Sequence, residues 1–463
     1  MADTPPTPYT PPGAEPPPSS LSDPELHVSS TISGGGRLLG FRAIQFTFLF
    51  LLSLVATRAL GPTGRGQYAL ALNLATVIWV ISHLSVEQSI SRMMARKEAS
   101  LVELCHLASA FSLSLGLVGM MITLAIGLPA REALLGGASP ATVALAAATI
   151  PFTLIGQMAT ALLLRIGGRL RTYGWILAIG SMIQFGLVLG LEVGVGLSPE
   201  LAMLAALLTI ALVAIALAVA LARTVGARAL IPITRLSLVR TALHTGLRLQ
   251  PASIALWLNL KIDLLLVGLL ASAHEAGLYS LSANLADIVF TTVSTVALAA
   301  LEAQTRADAK AAIAYTVDFI SQNLGIALAV AVAAAAVSYP FVVIVYGSAW
   351  RGSVVPFALL MPAVIALAVE EPARGLLVRI APPIAISAAS AAGLALNLGL
   401  NFVLIPWVGI AGASISSVAS YWLAGVLMLY LLSRYGEVPM KHALRLPRRE
   451  DALPSLLRQT LRG

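Results

Sequence analysis

Residues 66–75 read GQYALALNLA, and residues 277–286 read GLYSLSANLA. The two copies share a glycine, a tyrosine and an asparagine at a constant offset of 211 residues: Gly66, Tyr68 and Asn73 in the first, Gly277, Tyr279 and Asn284 in the second. Each copy follows a short polar turn and opens a hydrophobic segment. Self-similarity at a fixed separation indicates an internal duplication. The sequence therefore predicts two related halves, each built on the unit helix, turn, GxYxLxxNLA, helix.

Composition places the chain in a membrane. Apolar residues make up 58% of the 463 residues and charged residues 11%, whereas soluble domains have about 45–50% and about 25%. A membrane-spanning helix needs about 20 apolar residues, and about twelve such runs follow one another with mostly short connections. We therefore predict an all-α polytopic membrane protein with no sizeable soluble domain. The single cysteine, Cys105, excludes intramolecular disulfides and thiolate metal clusters, and no metal or cofactor is expected.

The predicted spans form two sets of six. The first set is 38–60, 68–85, 101–128, 141–164, 173–195 and 201–221, and the second is 250–270, 279–300, 313–337, 354–377, 384–405 and 410–432. The sequence thus divides into a proline-rich disordered cytoplasmic tail (1–36), a first lobe (37–222), a basic amphipathic connection (223–248), a second lobe (249–433) and a basic cytoplasmic tail (434–463). The connection carries Arg240, His244 and Arg248 at a helical spacing, which is typical of a helix on anionic lipid.

Positive charge predicts the orientation. With the N-terminus in the cytoplasm, 24 of the 29 lysines and arginines lie on the inner side, as retention of basic loops in the cytoplasm requires. Both termini are then cytoplasmic. The net charge of +8 is explained by insertion, and no nucleic-acid partner is needed. Because six is an even number, both repeat copies enter the membrane from the same side. The lobes are therefore expected to be related by a pseudo-two-fold axis along the membrane normal.

The first span carries a polar face. Arg42, Gln45, Ser53 and Thr57 share one side through helical steps, and Arg58 follows at the end of the span. One interpretation is a cavity wall that offers a cation to an anionic substrate. The other is that Arg42 extends to the inner lipid headgroups.

The seventh span carries two charges. Lys261 and Asp263 lie about 200° apart on a helix, so they cannot pair with each other. Lys261 is expected to face a cavity, because a lysine in lipid is costly. Asp263 is expected either to face the cavity or to hold a neighbouring helix. Other polar residues of the spans are expected to make local ion pairs or packing contacts: Glu87, Glu192 and Asp287, and the repeat asparagines Asn73 and Asn284, which should form interhelical hydrogen bonds.

Enzymatic motifs are absent. The sequence has no GxxxxGK[ST], HExxH, GxSxG or SxxK pattern, so it offers neither a nucleotide-hydrolysis loop nor a nucleophile or metal constellation. Prolines within or beside several spans, such as Pro151 and Pro362, can bend helices. These observations favour a duplicated transporter rather than an enzyme.

Three stretches resemble polysaccharide-unit flippases of the multidrug, oligosaccharidyl-lipid and polysaccharide exporter superfamily. Residues 57–68 resemble an RxLGPxxxGxY pattern that includes Arg58, and residues 261–280 are similar to the seventh and eighth helices of the family. Residues 397–414, NLGLNFVLIPWVGIAGAS, resemble the stretch between its last two helices and contribute Asn397, Asn401, Pro406, Gly409 and Gly412.

The resemblance implies two six-helix lobes around a central cavity. It implies flipping of a polyprenyl-pyrophosphate-linked glycan to the outer leaflet of a bacterial cytoplasmic membrane, with membrane lipids and polysaccharide polymerase or assembly proteins as partners. Two alternatives stay open: a cation-coupled multidrug exporter and a non-transporting scaffold of an envelope assembly. The related lipid II flippases usually have fourteen spans rather than twelve, and no acidic coupling site of the multidrug type is evident in the early spans.

Overall fold

The computed structural model describes the backbone of residues 24–166, 169–306 and 309–437. Within these ranges, the side chains of residues 24–40, 42–43, 170, 292, 295–306 and 309 are not described. The described backbone contains no strand and is almost entirely helical. This agrees with the prediction from composition, because a segment in lipid must satisfy its backbone hydrogen bonds internally.

Thirteen α-helices follow one another in the described chain. They are α1 (Pro24–Ser82), α2 (Val86–Ala95), α3 (Leu101–Gly127), α4 (Arg131–Leu134), α5 (Pro140–Leu163), α6 (Leu170–Val195), α7 (Pro199–Val225), α8 (Leu236–Leu270), α9 (Ala273–Arg306), α10 (Ala309–Phe341), α11 (Val354–Ile380), α12 (Pro383–Val408) and α13 (Ile410–Gly436). Short 3₁₀ turns cover Ala227–Leu230 and Ser348–Ser353, and a π turn covers Val342–Tyr346.

Helix α1 contains the first two predicted spans. The chain bends at Gly61, whose backbone angles are φ 62° and ψ 176°, a left-handed region that glycine adopts readily. Pro62 follows and can begin the second segment without losing a hydrogen bond. The polar turn predicted at residues 61–65 is thus a sharp bend. We call the end of the bundle that holds Gly61 the outer end and the opposite end the inner end, following the orientation expected from charge.

Serine caps fix the beginnings of several helices. The Ser100 hydroxyl accepts a hydrogen bond from the Glu103 backbone N–H, and the Glu103 carboxylate accepts one from the Ser100 backbone N–H. Ser139 and Ser198 cap α5 and α7, each with a proline at the first helical position. These local signals explain why the three helices begin close to the predicted span boundaries.

Ten helical segments of the described chain are long and apolar enough to cross a membrane. The ten include Ile44–Ser82 once, although it covers two predicted spans, and they do not include α9. Every predicted span coincides with one of the described helices or with one arm of α1. The count of twelve spans, however, stays a prediction.

The predicted N-terminal tail differs from the structure. Helix α1 begins at Pro24, inside the segment 1–36 that proline content assigned to a disordered tail. Proline is favoured in the first turn of a helix, because the backbone N–H that it lacks would have no partner there. Pro24 therefore starts a helix instead of ending the linker. Residues 1–23 and 438–463 lie outside the described residues, so the remainder of both predicted tails is not tested.

The main apolar core lies where the two halves meet. Helices α3, α5 and α7 pack together in the first half, and α11, α12 and α13 pack together in the second. Helix α1 contacts α6 of its own half and both α8 and α9 of the other. The largest cluster of buried apolar side chains combines Leu70 and Leu74 of α1 with Val267 of α8 and Leu281 of α9. Helices α1, α8 and α9 therefore position the junction between the halves.

Candidate functional site

The two copies of the repeat pack against each other. A Cβ atom on Gly66 would lie 1.8 Å from the carbonyl oxygen of Ala273, and a Cβ atom on Gly277 would lie 1.8 Å from the carbonyl oxygen of Pro62. Pro62 and Ala273 are themselves related by the offset of 211 residues, so the contacts are reciprocal. Reciprocal contacts are expected where two units are related by a two-fold axis. Superposition of the complete halves stays a prediction.

We expect Gly66→Ala and Gly277→Ala to destabilise the protein, because either methyl group would collide with a backbone carbonyl of the other half. Overpacking typically costs about 1–3 kcal/mol and occasionally more. The measurement is the melting temperature of the detergent-purified protein. Gly186→Ala and Gly399→Ala are matched helical controls, because no atom lies within 4 Å of a Cβ placed there. Equal melting temperatures for all four variants would contradict the close approach.

Polar contacts join α1 to the second half near the repeat. The Asn73 side-chain nitrogen donates to the backbone carbonyl oxygen of Lys261 at 2.6 Å. The buried Arg65 donates through Nε to the Ser280 hydroxyl at 3.4 Å. Asn73 therefore makes the interhelical hydrogen bond predicted from the repeat, and it makes that bond between the halves.

Asn284 does not repeat the contact of Asn73. The offset of 211 residues makes the Phe50 carbonyl the equivalent acceptor, but the Asn284 side chain is exposed and makes no such bond. One turn further along α9, the Asp287 side chain is 52% exposed. The prediction of an interhelical hydrogen bond for Asn284 is therefore wrong, because its side chain is exposed and does not reach the other half.

A second set of hydrogen bonds joins the halves at the inner end. The Ser85 hydroxyl donates to Gln250 Oε1 at 2.8 Å and to Ser253 Oγ at 3.1 Å. Gln250 Nε2 in turn donates to the backbone carbonyl of Val80 at 2.7 Å, and Gln88 Nε2 donates to Ser253 Oγ at 3.1 Å. Because Ser85, Gln250 and Ser253 are buried, this face of α8 lies against the first half and not against lipid.

An aromatic and acidic cluster lies beside the inner contact. The rings of Trp79 and Trp257 meet edge to face at 5.6 Å between centroids, and Trp79 also stacks on His83. His83 Nε2 lies 3.6 Å from Glu87 Oε1. Burial raises the pKa of the Glu87 carboxyl above its ordinary value, with the charge of His83 acting in the opposite direction. The local pairing expected for Glu87 is therefore with His83.

Lys261 and Asp287 form an ion pair at the same junction. Lys261 Nζ lies 3.5 Å from Asp287 Oδ2, and the two side chains are 34% and 52% exposed. Asp287 thus makes the local ion pair predicted for it. Exposure of this pair to hydrocarbon would be unfavourable, and the cavity-facing position expected for Lys261 stays a prediction.

Asp263 is buried inside the second half. Its carboxylate accepts hydrogen bonds from Asn401 Nδ2 at 2.9 Å, from the Tyr279 hydroxyl at 3.3 Å and from the Ser417 hydroxyl. Of the two roles considered for Asp263, the structure supports the attachment of neighbouring helices. Asp263 also lines a small pocket between α8, α9, α11 and α13, so its assignment as a cavity residue stays a prediction.

The motif between the last two helices supports this network. Asn397 and Asn401 lie one turn apart on α12, and Asn401 Nδ2 also contacts Asn397 Oδ1 at 2.9 Å. Pro406 lies in the last turn of α12, and Gly409 follows with φ 62°. A Cβ on Gly412 would lie 2.5 Å from the Leu404 carbonyl oxygen. The motif therefore forms a tight turn that places α12 and α13 beside Asp263.

A family model described as polysaccharide biosynthesis protein matches residues 36–302, more than half of the chain. The chain belongs to the polysaccharide biosynthesis protein family. This confirms the resemblance read from the sequence.

Solved structures share the fold of this polysaccharide biosynthesis family member. The lipid II flippase MurJ in an inward closed conformation has 12% identity, covers 91% of this chain and 92% of its own, and gives a TM-score of 0.68. An inward-facing multidrug resistance MATE family transporter of the MOP superfamily has 14% identity, covers 86% and 98%, and gives 0.65. A MOP superfamily transporter from Pyrococcus furiosus, with 15% identity and coverage of 87% and 94%, gives 0.61. No curated protein matches. The protein is therefore a multi-pass membrane protein with the fold of MOP superfamily transporters.

The predicted cavity residues of the first span have different environments in this family member. The side chain of Arg42 lies outside the described residues. Gln45 and Ser53 are half-buried, whereas Thr57 is fully buried. Arg58 is exposed and donates through Nη2 to the Ile344 carbonyl oxygen of the second half at 3.1 Å. Thr57 is therefore enclosed by packing in this structure, and its role as a cavity residue stays a prediction.

Sequence reasoning missed the inner contact as a link between the halves. Gln250 and Ser253 share a helical face with Lys261, and this pattern was visible in the sequence. Their partners Ser85 and Gln88, however, lie about 165 residues away in the chain. The spacing of polar residues along one helix cannot predict which distant residue they will contact. The signal that could have found it is a polar face on α8 that faces a polar turn at the end of the second span.

Proposed function

We propose that this protein moves a polyprenyl-pyrophosphate-linked glycan from the inner to the outer leaflet by alternating access. The observation that carries the proposal is the Lys261–Asp287 pair, which is partly exposed at the junction of two halves in a transporter fold. The ammonium group of Lys261 can make charge-assisted contacts with a pyrophosphate. Membership in the polysaccharide biosynthesis protein family supports a glycan as the cargo.

Movement of the halves would require the two sets of contacts to break in turn. At the outer end these are the Gly66 and Gly277 contacts and the hydrogen bonds from Arg65 to Ser280 and from Arg58 to Ile344. At the inner end they are the hydrogen bonds of Ser85 with Gln250 and Ser253. Few hydrogen bonds hold each end, and each contributes about 0.5–1.5 kcal/mol net. Differential binding of a substrate could shift an equilibrium between such states.

The proposed setting is the bacterial cytoplasmic membrane with both termini in the cytoplasm. Membrane lipids would surround the bundle, and polysaccharide polymerase or assembly proteins would act on the flipped glycan. The protein would act as a transporter and not as an enzyme.

Cation-coupled export of drugs is the second candidate. It is favoured by the shared fold of a multidrug resistance transporter and by the exposed carboxylate of Asp287. A cationic drug would pair with Asp287 rather than with Lys261. The two functions therefore differ in which member of the pair is essential.

Deletion of the gene is expected to abolish surface glycan and to leave lipid-linked glycan in the inner leaflet. The reason is that a large polar head group cannot cross hydrocarbon unaided. The measurement is surface glycan by antibody or lectin labelling, with intracellular lipid-linked glycan quantified in parallel. Restoration by the wild-type chain is the control. Normal surface glycan after deletion, together with increased drug sensitivity, would favour the exporter instead.

A further inference from the structure

A basic cavity lies at the inner end, where α2 meets α8. It has a volume of about 230 Å³ and is lined by residues of both halves: Arg92, Met93, Arg96 and Glu98 from the first, Thr245 and Arg248 from the second. It is separate from the Lys261–Asp287 pair and from the network around Asp263. Three guanidinium groups and one carboxylate therefore surround a space that only the assembled halves create.

The inner contact fixes the position of this cavity. A Cβ on Gly246 would lie 2.3 Å from the carbonyl oxygen of Leu84, so α8 and the turn before α2 touch backbone to backbone. Gly246 lies between Thr245 and Arg248 in the sequence, and Gln250 bonds to Ser85 just beyond them. Buried contacts between the halves therefore hold the arginines of the two halves beside each other.

The charges of the cavity are largely uncompensated. Arg96 Nη1 lies 3.6 Å from Glu98 Oε1, and both side chains are exposed. Neither Arg92 nor Arg248 has an acidic partner among the described residues. Retention of positive charge in the cytoplasm accounts for basic residues on this side. It does not account for their convergence from two halves on one cavity.

We propose that this cavity binds a phosphate-bearing group and thereby links the two halves at the inner end. Guanidinium groups present paired donors that match phosphate oxygens, and the Thr245 hydroxyl can donate a further hydrogen bond. The phosphate can belong to a phospholipid headgroup or to the pyrophosphate of a lipid-linked glycan. The inference does not depend on the transported substrate. Because both halves supply ligands, the bound group stabilises the state in which the inner ends are in contact.

The first test uses inorganic pyrophosphate and the full chain purified in detergent. Pyrophosphate is expected to raise the melting temperature in a saturable manner. Arg248→Gln and Arg92→Gln should each weaken binding about tenfold or more, since one charge-assisted hydrogen bond contributes about 1.5–3 kcal/mol. Glu98→Gln should tighten binding, because it removes the carboxylate that competes for Arg96.

Arg240→Gln is the matched control. Arg240 is an exposed arginine on the same helix as Arg248, two turns nearer its N-terminus, and it does not line the cavity. Its replacement removes the same charge and should leave pyrophosphate affinity unchanged. If Arg240→Gln weakens binding as much as Arg248→Gln, or if pyrophosphate does not bind, the arginines form only a solvated basic surface and the proposal is wrong.

A second test separates the two sources of phosphate and examines the link between the halves. Vesicles containing phosphatidylglycerol and, separately, detergent-solubilised polyprenyl pyrophosphate are each added to compete with labelled pyrophosphate. Competition by either one supports the site and identifies the source of the phosphate.

Labelling of a cysteine tests the link between the halves. In a Cys105→Ala background, a cysteine at the buried Ser85 reports opening of the inner contact. Its labelling by a maleimide should slow several-fold with pyrophosphate in the wild-type cavity and not in Arg248→Gln. Unchanged labelling in both would overturn the link between the halves.

Discussion

Replacing Lys261 by alanine is expected to lower surface glycan about tenfold or more while the protein remains in the membrane, since a hydrogen bond to a charged group contributes about 1.5–3 kcal/mol. Lys261 keeps 34% of its surface accessible and lies 3.5 Å from Asp287. A pyrophosphate could take the place of this carboxylate as partner of the ammonium group. The measurement is surface glycan in the deletion strain that carries each variant, normalised to the amount of membrane protein.

Variants of Asp287 distinguish a substrate contact from a structural ion pair. Asp287→Asn frees Lys261 and should preserve or increase export if Lys261 binds the substrate. Lys261→Arg keeps the positive charge and should retain most of the activity. Exchange of the two residues, Lys261→Asp with Asp287→Lys, restores a pair but moves the cation from α8 to α9. Full activity of the exchanged pair, or normal export by Lys261→Ala, would show that the pair serves only packing.

Arg42 stays a hypothetical second cation of this site. It lies in the first span of the first half as Lys261 lies in the first span of the second half, and Arg42→Ala should lower export in the same assay. Lysine at position 42 should restore part of the activity, because it keeps the charge but loses the paired donors.

The helices could be predicted from sequence because their signals are local. Apolar runs long enough to cross a bilayer have no other stable conformation in lipid, and the serine and proline residues at 139–140 and 198–199 mark the beginnings of α5 and α7 within a few residues. The beginning of α1 was missed for a local reason as well. A single proline can end a linker or start a helix, and composition over 36 residues does not distinguish Pro24 from the prolines before it.

The environment of each polar residue could be predicted only in part. Helical spacing correctly placed Lys261 and Asp263 on different faces of α8, but it could not show that α12 and α13 cover the face of Asp263. Asn73 and Asn284 occupy the same position of the repeat, yet one bonds across the junction and the other is exposed. Duplicated sequences have equivalent environments only where the two halves approach each other symmetrically. Departure from symmetry arises when the two halves pack together, so the repeated motif does not reveal it.

The contacts of the first half with α8 and α9 differ along the bundle, and this difference suggests where a substrate could pass. The repeat glycines join α1 to the beginning of α9, whereas the Asn73 contact and the buried bonds of Ser85 join the first half to α8. Further along α9, the side chains of Asn284 and Asp287 are exposed. A route for a lipid-linked substrate would therefore open beside this part of α9.

A disulfide across the inner contact is expected to stop transport reversibly. The hydroxyl oxygens of Ser85 and Ser253 lie 3.1 Å apart, one on each half, and a disulfide holds its sulfur atoms about 2.05 Å apart. Ser85→Cys with Ser253→Cys, in a Cys105→Ala background, should therefore cross-link readily under a mild oxidant. If alternating access separates the inner ends, the cross-linked protein cannot complete a cycle. Flipping measured in proteoliposomes should fall to background and recover when the disulfide is reduced.

The controls separate the cross-link from the substitutions. Each single cysteine variant should remain active under oxidant, and so should Ser139→Cys with Thr142→Cys, whose hydroxyl oxygens also lie 3.1 Å apart but within one half. Loss of activity in that intralobe pair would point to general oxidative damage. A fully cross-linked Ser85–Ser253 variant that still flips its substrate at the wild-type rate would exclude opening of this contact from the transport cycle, because a covalent bond between α8 and the end of the second span leaves the inner ends no freedom to part.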